Sequence, residues 1–309
     1  MCKTCGCSDD AKTTMTSLQT GISSAISHND HEHSRSESHE HQHTHVDENG
    51  HTHTHSHSHS HTETRGHAHS QVESASHSQS HAHSVTIKLE ESILAKNDLL
   101  AAKNRDWLVK RNIVALNLVS APGSGKTTLL ERTITDLKGA VSVSVIEGDQ
   151  ETINDAERIK ATGCNVIQLN TGSGCHLEAA MVARALDELQ PANDSLLFIE
   201  NVGNLVCPAL FDLGEVAKVV ILSATEGDDK PLKYPHMFRA SNVMIVNKID
   251  LLPYVRFDTD ACIAHARAVN PKLTIFQVSA TSGQGLQGWY DWLRQQITAP
   301  VTNSPPPTR

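Results

Sequence analysis

The chain has 309 residues and a net charge of −9, and its charged residues form no basic stripe that would indicate a nucleic-acid partner. It contains no apolar run of about 18 residues and starts with a polar, cysteine-bearing segment, so neither a membrane span nor a signal peptide is expected. Seven cysteines, an odd number, favour metal-binding thiols in a reducing, cytoplasmic compartment over a disulfide framework.

Three cysteines, Cys2, Cys5 and Cys7, lie close together at the start of the chain. The C-x-x-C spacing allows two thiolates to bind one soft metal ion, and the adjacent C-x-C adds a third ligand. A redox C-x-x-C motif normally stands at the start of a helix after a strand, and this segment lacks that context. We therefore predict that residues 1–7 form a metal-binding motif, with an unliganded chain end as the alternative.

The following region is rich in histidine: 18 of the 21 histidines lie between His28 and His83. No Phe, Tyr or Trp precedes Trp107, so residues 8–84 lack the apolar surface needed to offset chain entropy, and we predict that they are disordered. Neutral imidazole is a good ligand for Ni²⁺, Zn²⁺ and Cu²⁺, which indicates a buffer for several ions. A solvated linker is the alternative.

From Val85 onward the composition is that of a folded domain. Apolar residues from Leu89 to Trp107 recur at spacings of four and seven, which predicts an amphipathic helix. Strands then alternate with helices, so residues 85–298 are predicted to form one α/β domain with a mostly parallel sheet and helices on both faces. Residues 299–309 are Pro-rich and are predicted to be a loose tail. The predicted strands span about 112–119, 141–146, 165–169, 195–199, 218–222, 242–246 and 273–278. The predicted helices span about 127–137, 151–161, 178–190 and 258–269, with a last one at about 285–297 after the final strand.

The segment Ser120–Thr128, SAPGSGKTT, follows the first predicted strand and opens a helix. It resembles the G-x-x-x-x-G-K-[ST] loop of P-loop NTPases, with Ser120 in place of the first glycine. Backbone N–H groups and the helix N-terminus favour phosphate at such a turn. Lys126 can reach the β- and γ-phosphates, and the Thr127 hydroxyl can bind Mg²⁺. The predicted phosphate-binding residues are Gly123, Ser124, Gly125, Lys126, Thr127 and Thr128.

A second nucleotide signal, Asn247-Lys-Ile-Asp250, follows a buried strand. It resembles the N-K-x-D motif of GTPases, in which the carboxylate corresponding to Asp250 accepts hydrogen bonds from the guanine N1–H and amino group. Adenine does not offer that pair of donors, and mismatched polar groups reject the wrong base strongly. Ser279 and Ala280 follow the last strand and resemble the further guanine-contacting segment. We predict that guanine is bound by Asn247, Lys248, Asp250, Ser279 and Ala280.

Two acidic residues, Asp149 and Glu200, stand where predicted strands end. Because the carboxyl ends of parallel strands face the ligand crevice, we predict that both acids bind Mg²⁺ together with Thr127.

The tetrapeptide Glu200-x-x-Gly203 resembles the D-x-x-G motif of GTPases. This predicts that the Gly203 N–H contacts the γ-phosphate and moves on hydrolysis. Asn204 occupies the position of the water-orienting Gln in Ras-like enzymes, which predicts slow intrinsic hydrolysis of GTP. The predicted catalytic residues are Lys126, Thr127, Asp149, Glu200 and Gly203.

A second cluster of metal ligands is predicted beside this segment. Cys175 and His176 lie at a predicted helix start, where the helix field lowers the pKa of a thiol, and Cys207 follows Gly203 by four residues. Two thiolates and an imidazole are three borderline-soft ligands. We predict that they hold one metal ion, which would lie on a dimer axis if two subunits meet there.

Together these segments resemble the hydrogenase nickel-incorporation GTPases, the HypB accessory proteins of [NiFe]-hydrogenase maturation. The resemblance covers residues 1–7 and about 90–298, and it rests on MCKTCGC, SAPGSGKTT, EGD at 147–149, GCH at 174–176, ENVGNLVCP at 200–208 and NKID at 247–250. It implies a homodimeric P-loop G domain that uses GTP, GDP and Mg²⁺. It also implies delivery of Ni²⁺ to the hydrogenase large subunit, alongside a zinc-binding accessory protein.

The same resemblance assigns the two groups of metal ligands. It implies a nickel site at Cys2, Cys5 and Cys7. It implies a second site, for Ni²⁺ or Zn²⁺, at Cys175, His176 and Cys207.

Two other functions stay open at this point. A related P-loop GTPase that serves urease or a cobalamin enzyme would share the nucleotide motifs, but the N-terminal cysteines and the Cys175, His176 and Cys207 set argue against it. A protein that mainly stores metal would not need intact Lys126, Thr127 and Asp250.

Overall fold

The computed structural model describes residues 13–26, 39–46, 52–59, 78–150 and 152–299, with side chains described for residues 13–26, 91–150 and 152–299. The predicted N-terminal cysteine motif and the predicted tail beyond Ala299 lie outside these residues. The chain divides into one unit of residues 1–26 and 82–309 and a second unit of residues 27–81.

The described residues form eleven strands and eight α-helices. The strands are β1 (Thr13–Ser17), β2 (Ser23–Ile26), β3 (His39–Val46), β4 (Thr52–His59), β5 (Val114–Ser120), β6 (Val143–Asp149), β7 (Asn165–Asn170), β8 (Leu196–Glu200), β9 (Ala217–Ser223), β10 (Val243–Asn247) and β11 (Thr274–Gln277). The helices are α1 (Ser78–Val109), α2 (Lys126–Asp136), α3 (Asn154–Ala161), α4 (Ala179–Leu189), α5 (Lys230–Lys233), α6 (Pro235–Ala240), α7 (Thr259–Val269) and α8 (Leu286–Thr298). Two 3₁₀ helices span Cys207–Ala209 and Ile249–Tyr254.

Within the described part of the first unit, nine strands form one sheet in the order β11-β10-β9-β5-β8-β6-β7-β1-β2. The neighbours from β11 to β7 pair in parallel. Their carboxyl ends therefore meet at one edge, as in other open α/β sheets that bind ligands there. The prediction of a mostly parallel sheet is confirmed.

Alternation along β5 shows how the sheet is covered on both faces. Val114, Leu116 and Leu118 pack into an apolar cluster with α2, α3 and α8. Ala115 faces the other way, into a cluster with α1 and α4, because successive side chains of a strand point to opposite faces. A third cluster joins β9 and β10 to α6 and α7. The predicted two-sided helical cover is confirmed.

Helix α1 begins before the predicted start near Leu89, and its C-terminal part makes polar contacts with the start of α4 and with the loop before β9. The Asn104 amide donates to the carbonyls of Ala179 and Leu213 at 2.9 and 3.0 Å. The Arg105 guanidinium binds the Asp212 carboxylate at 2.6 Å. Polar side chains at these helix positions are therefore buried with partners rather than turned to solvent.

The prediction of disorder for residues 8–84 is wrong for β1 and β2. These strands form an antiparallel hairpin, and β1 pairs antiparallel with β7, with Thr14 opposite Asn170. Leu18 and Ile26 are buried, at 5% and 7% exposure. The segment needs few apolar residues because the open edge of β7 supplies its hydrogen-bond partners, and Thr favours strands.

Part of the His-rich region, for which disorder is predicted, is described as two strands. Strands β3 and β4 form a separate antiparallel pair in the second unit. Their register sets histidine opposite histidine at four positions: His39 and His59, His41 and His57, His43 and His55, and His45 and His53. The alternation of histidine with Ser, Thr, Glu or Gln has the period of two that a strand requires, although its composition alone favoured disorder.

The residues that the structure describes contain no helix with the length and apolar character needed to cross a bilayer.

Candidate nucleotide and metal sites

A cavity of about 500 Å³ opens at the carboxyl edge of the sheet. The loop between β5 and α2, the end of β6 and the segment that follows β8 border it. It is lined by Ser120, Ala121, Pro122, Gly123, Ser124, Gly125, Lys126, Thr127, Thr128, Glu147, Gly148, Asp149, Gln150, Asp155, Arg158, Val202, Gly203 and Lys248. All six residues predicted to bind phosphate are therefore in its lining.

The shape of the phosphate loop depends on Gly125. Its φ is 89°, in the left-handed region, and it is the residue from which α2 starts. A Cβ at this position would lie 2.7 Å from the Asn247 amide nitrogen. A larger residue would be strained in the backbone and would also collide with that side chain.

The second nucleotide motif holds this loop in place. Asn247 Nδ2 donates to the carbonyl of Ser124 at 3.1 Å, and Lys248 Nζ donates to the carbonyl of Gly123 at 2.7 Å. Asn247 Oδ1 accepts from Ala280 N at 3.2 Å. Asn247 thus links the phosphate loop to the segment after β11.

Asp250 is half-buried in the 3₁₀ helix that follows Lys248. Ser279 is buried, and its Oγ accepts from Ser282 N at 3.0 Å. Asp250, Ser279 and Ala280 are not among the lining residues of the cavity. The hydrogen bonds of Asn247 connect their segments to the phosphate loop.

Lys126 and Thr127 converge on one carboxylate. Lys126 Nζ and Thr127 Oγ1 each donate to Glu200 Oε1 at 2.6 Å. Glu200 is fully buried, and its Oε2 has no hydrogen-bond partner among the described residues. A buried, unpaired carboxylate oxygen beside a threonine hydroxyl is a hard oxygen pair that fits Mg²⁺.

Asp149 lines the same cavity but is bound differently. Its Oδ2 accepts from the N and Oγ1 of Thr152 at 2.8 and 2.7 Å. The structure therefore brings Thr127 and Glu200 into direct contact, while Asp149 contacts the start of the segment that leads to α3.

Sequence reasoning assigned no role to Glu147, which also lines the cavity. It is buried, it lies opposite Glu200 in the register of β6 and β8, and its Oε2 has no partner among the described residues. Burial, followed by the charge of Glu200, raises the pKa of Glu147 to about 9. The carboxyl is therefore protonated near neutral pH. Its spacing of two residues from Asp149 places both on one face of β6, a signal that could have identified it.

Asp155 and Arg158 of α3 are two further cavity residues without a predicted role. Arg158 donates to Asp155 at 2.9 Å and to the hydroxyl of Thr128 at 3.1 Å. The guanidinium therefore connects α3 to the phosphate loop.

Gly203 packs against Pro122 of the phosphate loop, where an added Cβ would lie 3.2 Å from the proline ring. Asn204 does not line the cavity. Its Nδ2 donates to the carbonyl of Cys175 at 3.3 Å, and its Oδ1 accepts from Val206 N at 2.8 Å. The segment after Glu200 therefore leads directly to the predicted metal ligands.

Cys175, His176 and Cys207 come together as predicted from the sequence. One ligand atom from each lies within 4.8 Å of the other two. The sulfurs of Cys175 and Cys207 are 2.9 Å apart, and Cys175 Sγ is 3.5 Å from His176 Nδ1. Both cysteines are thiols rather than a disulfide. Two thiols and one imidazole fit a soft or borderline metal ion.

The surroundings of His176 fix the ring. It packs on Phe211 with ring centroids 4.0 Å apart, and burial lowers its pKa to about 4. The imidazole is therefore neutral near pH 7, as a metal ligand must be. Its Nε2 is buried without a hydrogen bond among the described residues, and Glu178 Oε1 lies 3.8 Å away. Nδ1, the nitrogen towards the thiols, is therefore the one placed to bind a metal.

The remaining described cysteines, Cys164 and Cys262, are buried elsewhere, and burial raises the pKa of each thiol to about 12. They stay protonated near neutral pH and are poor ligands.

Residues 114–277 match the family described as "CobW/HypB/UreG, nucleotide-binding domain". The chain is 60% identical over 207 residues to hydrogenase maturation factor HypB of Rhizobium leguminosarum bv. viciae, which covers 67% of this chain and 69% of that one.

Two solved structures are also similar. HypB from Archaeoglobus fulgidus has a TM-score of 0.62 at 40% identity and covers 66% of this chain and 100% of its own. HypB from Helicobacter pylori in complex with nickel has a TM-score of 0.62 at 38% identity, covering 65% and 95%.

Proposed function

Because this chain belongs to the CobW/HypB/UreG family and, within it, to the HypB hydrogenase maturation factors, we propose that it is a GTP-hydrolysing nickel metallochaperone. It would bind nickel and deliver it to the large subunit of a [NiFe]-hydrogenase. The observation that carries this proposal is the position of Cys207, which contacts Cys175. Cys207 lies seven residues after Glu200, the carboxylate that binds Lys126 and Thr127 of the nucleotide cavity.

The cavity supports binding and hydrolysis of GTP. The loop at Gly123–Thr128 and the N-terminus of α2 would hold the phosphates, and Lys126 would exchange its contact with Glu200 for a phosphate oxygen. Thr127 and Glu200 would hold Mg²⁺, which neutralises charge on the β- and γ-phosphate oxygens. Asp149, which lines the same cavity, would also contribute to binding Mg²⁺.

Recognition of guanine is proposed for the segments that Asn247 joins. Asp250 would accept from the N1–H and amino group of the base, and the Ser279–Ala280 backbone would contact the base edge. Asn247 would also contact the base, and its hydrogen bond to the carbonyl of Ser124 would position the loop relative to the base site.

Hydrolysis is expected to be slow because the side chain of Asn204 does not line the cavity. Its amide instead donates to the carbonyl of Cys175, in the loop that carries two of the predicted metal ligands. A residue that orients water must reach the γ-phosphate, and the described residue at this position does not line that space. Through the same hydrogen bond, a movement of this segment with the nucleotide state would shift the backbone at Cys175.

Nickel is the proposed cargo of the Cys175, His176 and Cys207 site, with Zn²⁺ as the competing ion. The donor set suits both ions, and a relative from Helicobacter pylori is described in complex with nickel. The N-terminal Cys2, Cys5 and Cys7 would form a second nickel site, and the His-rich region would hold a reserve of ions.

The proposed assembly is a homodimer that works with the hydrogenase large subunit and a zinc-binding accessory protein. The proposed compartment is the cytoplasm, because Cys175 and Cys207 are 2.9 Å apart and must stay reduced to bind a metal.

The proposal is tested in a strain that lacks this protein. Hydrogenase activity should be lost, restored by the wild-type chain, and partly restored by excess Ni²⁺ alone. Lys126→Ala and Cys207→Ala should not restore it at low nickel, whereas Cys164→Ala, which removes a thiol outside the cluster, should. Purified wild-type protein should turn over GTP and not ATP. Restoration of urease but not of hydrogenase would select the other target, and absence of GTP turnover would favour metal storage.

A further inference from the structure

A chain of buried polar side chains connects the residue after Glu200 to the segment after Cys207. We propose that Asn201, Asn117, Glu215 and Lys218 form a positioning frame that fixes the two halves of the metal site relative to the nucleotide cavity. The inference rests on the proposed function of the Cys175, His176 and Cys207 site.

The frame begins at Asn201, which is 1% exposed and follows Glu200 directly. Asn201 Oδ1 accepts from Leu177 N at 3.2 Å and from Val202 N at 3.0 Å. Leu177 follows His176, so this amide connects the backbone of the Cys175–His176 loop to the end of β8. A shift of Glu200 would therefore move that loop through the side chain of Asn201.

The frame continues across the strand that leads into the phosphate loop. Asn201 Nδ2 donates to Asn117 Oδ1, and Asn117 Nδ2 donates to Glu215 Oε1, both at 3.2 Å. Asn117 lies in β5 and is fully buried, as is Glu215. Glu215 Oε2 also accepts from Leu213 N at 2.7 Å. Every hydrogen bond of this stretch is made away from solvent, where polar groups are costly unless they are paired.

Lys218 completes the frame on the other half of the metal site. It is 3% exposed, and its Nζ lies 3.8 Å from Glu215 Oε1. The same ammonium donates to the carbonyls of Pro208 at 2.7 Å and Phe211 at 3.2 Å. Pro208 follows Cys207, and the ring of Phe211 packs on His176.

The frame therefore contacts the backbone beside His176 and the backbone beside Cys207, although it contains no metal ligand. Apolar residues would fill this space without the cost of burying a charged pair. Residues that orient metal ligands without binding the metal themselves commonly control metal affinity. These contacts make Lys218 and Asn201 positioning residues for the proposed metal site.

The test uses the full chain with Cys2, Cys5 and Cys7 changed to Ala, so that thiolate-to-nickel charge-transfer absorption reports the Cys175 and Cys207 site alone. Free Ni²⁺ is set with a competing chelator, which makes binding by the histidines irrelevant to the measured affinity. Lys218→Met is combined with Glu215→Gln, so that no unpaired charge is left buried. Lys110→Met, at an exposed lysine 4.0 Å from Asp106, is the matched control.

The free nickel concentration at half-saturation is expected to rise about 10- to 100-fold in the double variant and to stay unchanged in the control. Affinity for GDP should match the background protein, which a general loss of structure would not allow. Asn201→Ala introduces no buried charge, should raise the half-saturation concentration in the same direction, and decides the question if the double variant does not fold.

Unchanged nickel titrations in these variants would overturn the frame and leave the metal site intact. A background protein that binds GDP but gives no thiolate-to-nickel absorption at any nickel concentration would overturn the metal site itself, and the frame with it.

Discussion

At the scale of single residues, Gly125 is held by two separate constraints. Its φ of 89° disfavours any side chain, and an added Cβ would also approach Asn247 Nδ2 to 2.7 Å. We expect Gly125→Ala to lower the free energy of unfolding by about 2–3 kcal/mol, combining backbone strain with the displaced amide, and to weaken GDP binding. Urea unfolding and a fluorescence titration with labelled GDP measure the two effects.

The control for Gly125→Ala is Gly139→Ala, which has a φ of 83° but no atom within 4 Å of the added Cβ. It should show only the strain of about 1–2 kcal/mol and normal GDP affinity. Equal effects of the two substitutions would mean that the contact with Asn247 is unimportant.

Glu147 predicts a specific pH dependence of stability. Its pKa rises from an ordinary 4.5 to about 9 on folding, so at intermediate pH the folded chain holds a proton that the unfolded chain has lost. The contribution of Glu147 to stability therefore falls as pH rises between these two values and is constant outside them. In protein without metal or nucleotide, Glu147→Gln should gain stability relative to wild type between about pH 6 and about pH 9, by up to about 1.4 kcal/mol per pH unit.

Urea unfolding at several pH values measures that difference. The exposed Glu157→Gln on α3 provides the comparison and should show a much smaller slope. A difference between Glu147→Gln and wild type that does not change with pH would show that the carboxyl is already ionised in the folded state.

At the scale of elements, the hairpin β1–β2 yields a stability prediction. Leu18 is 5% exposed and belongs to the same apolar cluster as α2 and β5. Leu18→Ala should therefore lower the free energy of unfolding by about 2–4 kcal/mol. Ile22→Ala, at a position that is 65% exposed, should cost less than about 0.5 kcal/mol. Similar small effects in urea unfolding would mean that the hairpin does not pack on the sheet.

The elements that the sequence predicted well are those whose pattern is local. Buried strands such as β8 and β10 are short apolar runs, and their observed bounds lie within two residues of the predicted ones. The hairpin β1–β2 was missed because its stabilisation comes from β7, about 150 residues away, which composition does not reveal. Helices α5 and α6 are only four and six residues long and carry Pro231 and Pro235 in their first turns, so they are too short to show a helical period.

The residues of the candidate site could be predicted where they belong to a sequence motif. Their hydrogen-bond partners could not, because these depend on the tertiary fold. Cys175, His176 and Cys207 are found together because the loop after β7 and the segment after β8 both leave the carboxyl edge of the sheet. The contact of Asn247 with guanine stays a prediction, but its hydrogen bond to the carbonyl of Ser124, across 123 positions of sequence, was not predicted. Such a contact follows from strand order, which a local pattern does not contain.

At the scale of the whole molecule, the proposed function requires coupling between two sites. The segment from Glu200 to Cys207 borders both, and Asn204 binds the Cys175 carbonyl. We expect nickel affinity to differ between the GDP form and the form with a non-hydrolysable GTP analogue. Nickel should change the ratio of the two nucleotide affinities by the same factor, because coupling between binding steps is reciprocal.

Chelator-buffered nickel titrations and nucleotide titrations, each paired with a measurement of dimerisation, give the two factors. Cys207→Ser should remove the effect of nickel on nucleotide binding while GDP still binds. Identical nickel affinities in both nucleotide forms, with unchanged dimerisation, would exclude coupling.

The pairing of β1 with β7 also determines where the chain enters the fold. Thr14 lies opposite Asn170, so the first residue of β1 stands at the carboxyl edge of the sheet, where the loop to Cys175 leaves β7. Cys7 precedes Thr13 by six residues, and a chain of that length spans at most about 21 Å. A short segment of chain therefore connects the predicted site at Cys2, Cys5 and Cys7 to the edge of the sheet from which the loop to Cys175 leaves. If both predicted sites bind nickel, an ion that leaves one would meet the other at an effective concentration set by the length of this connection, whatever the amount of protein in the cell.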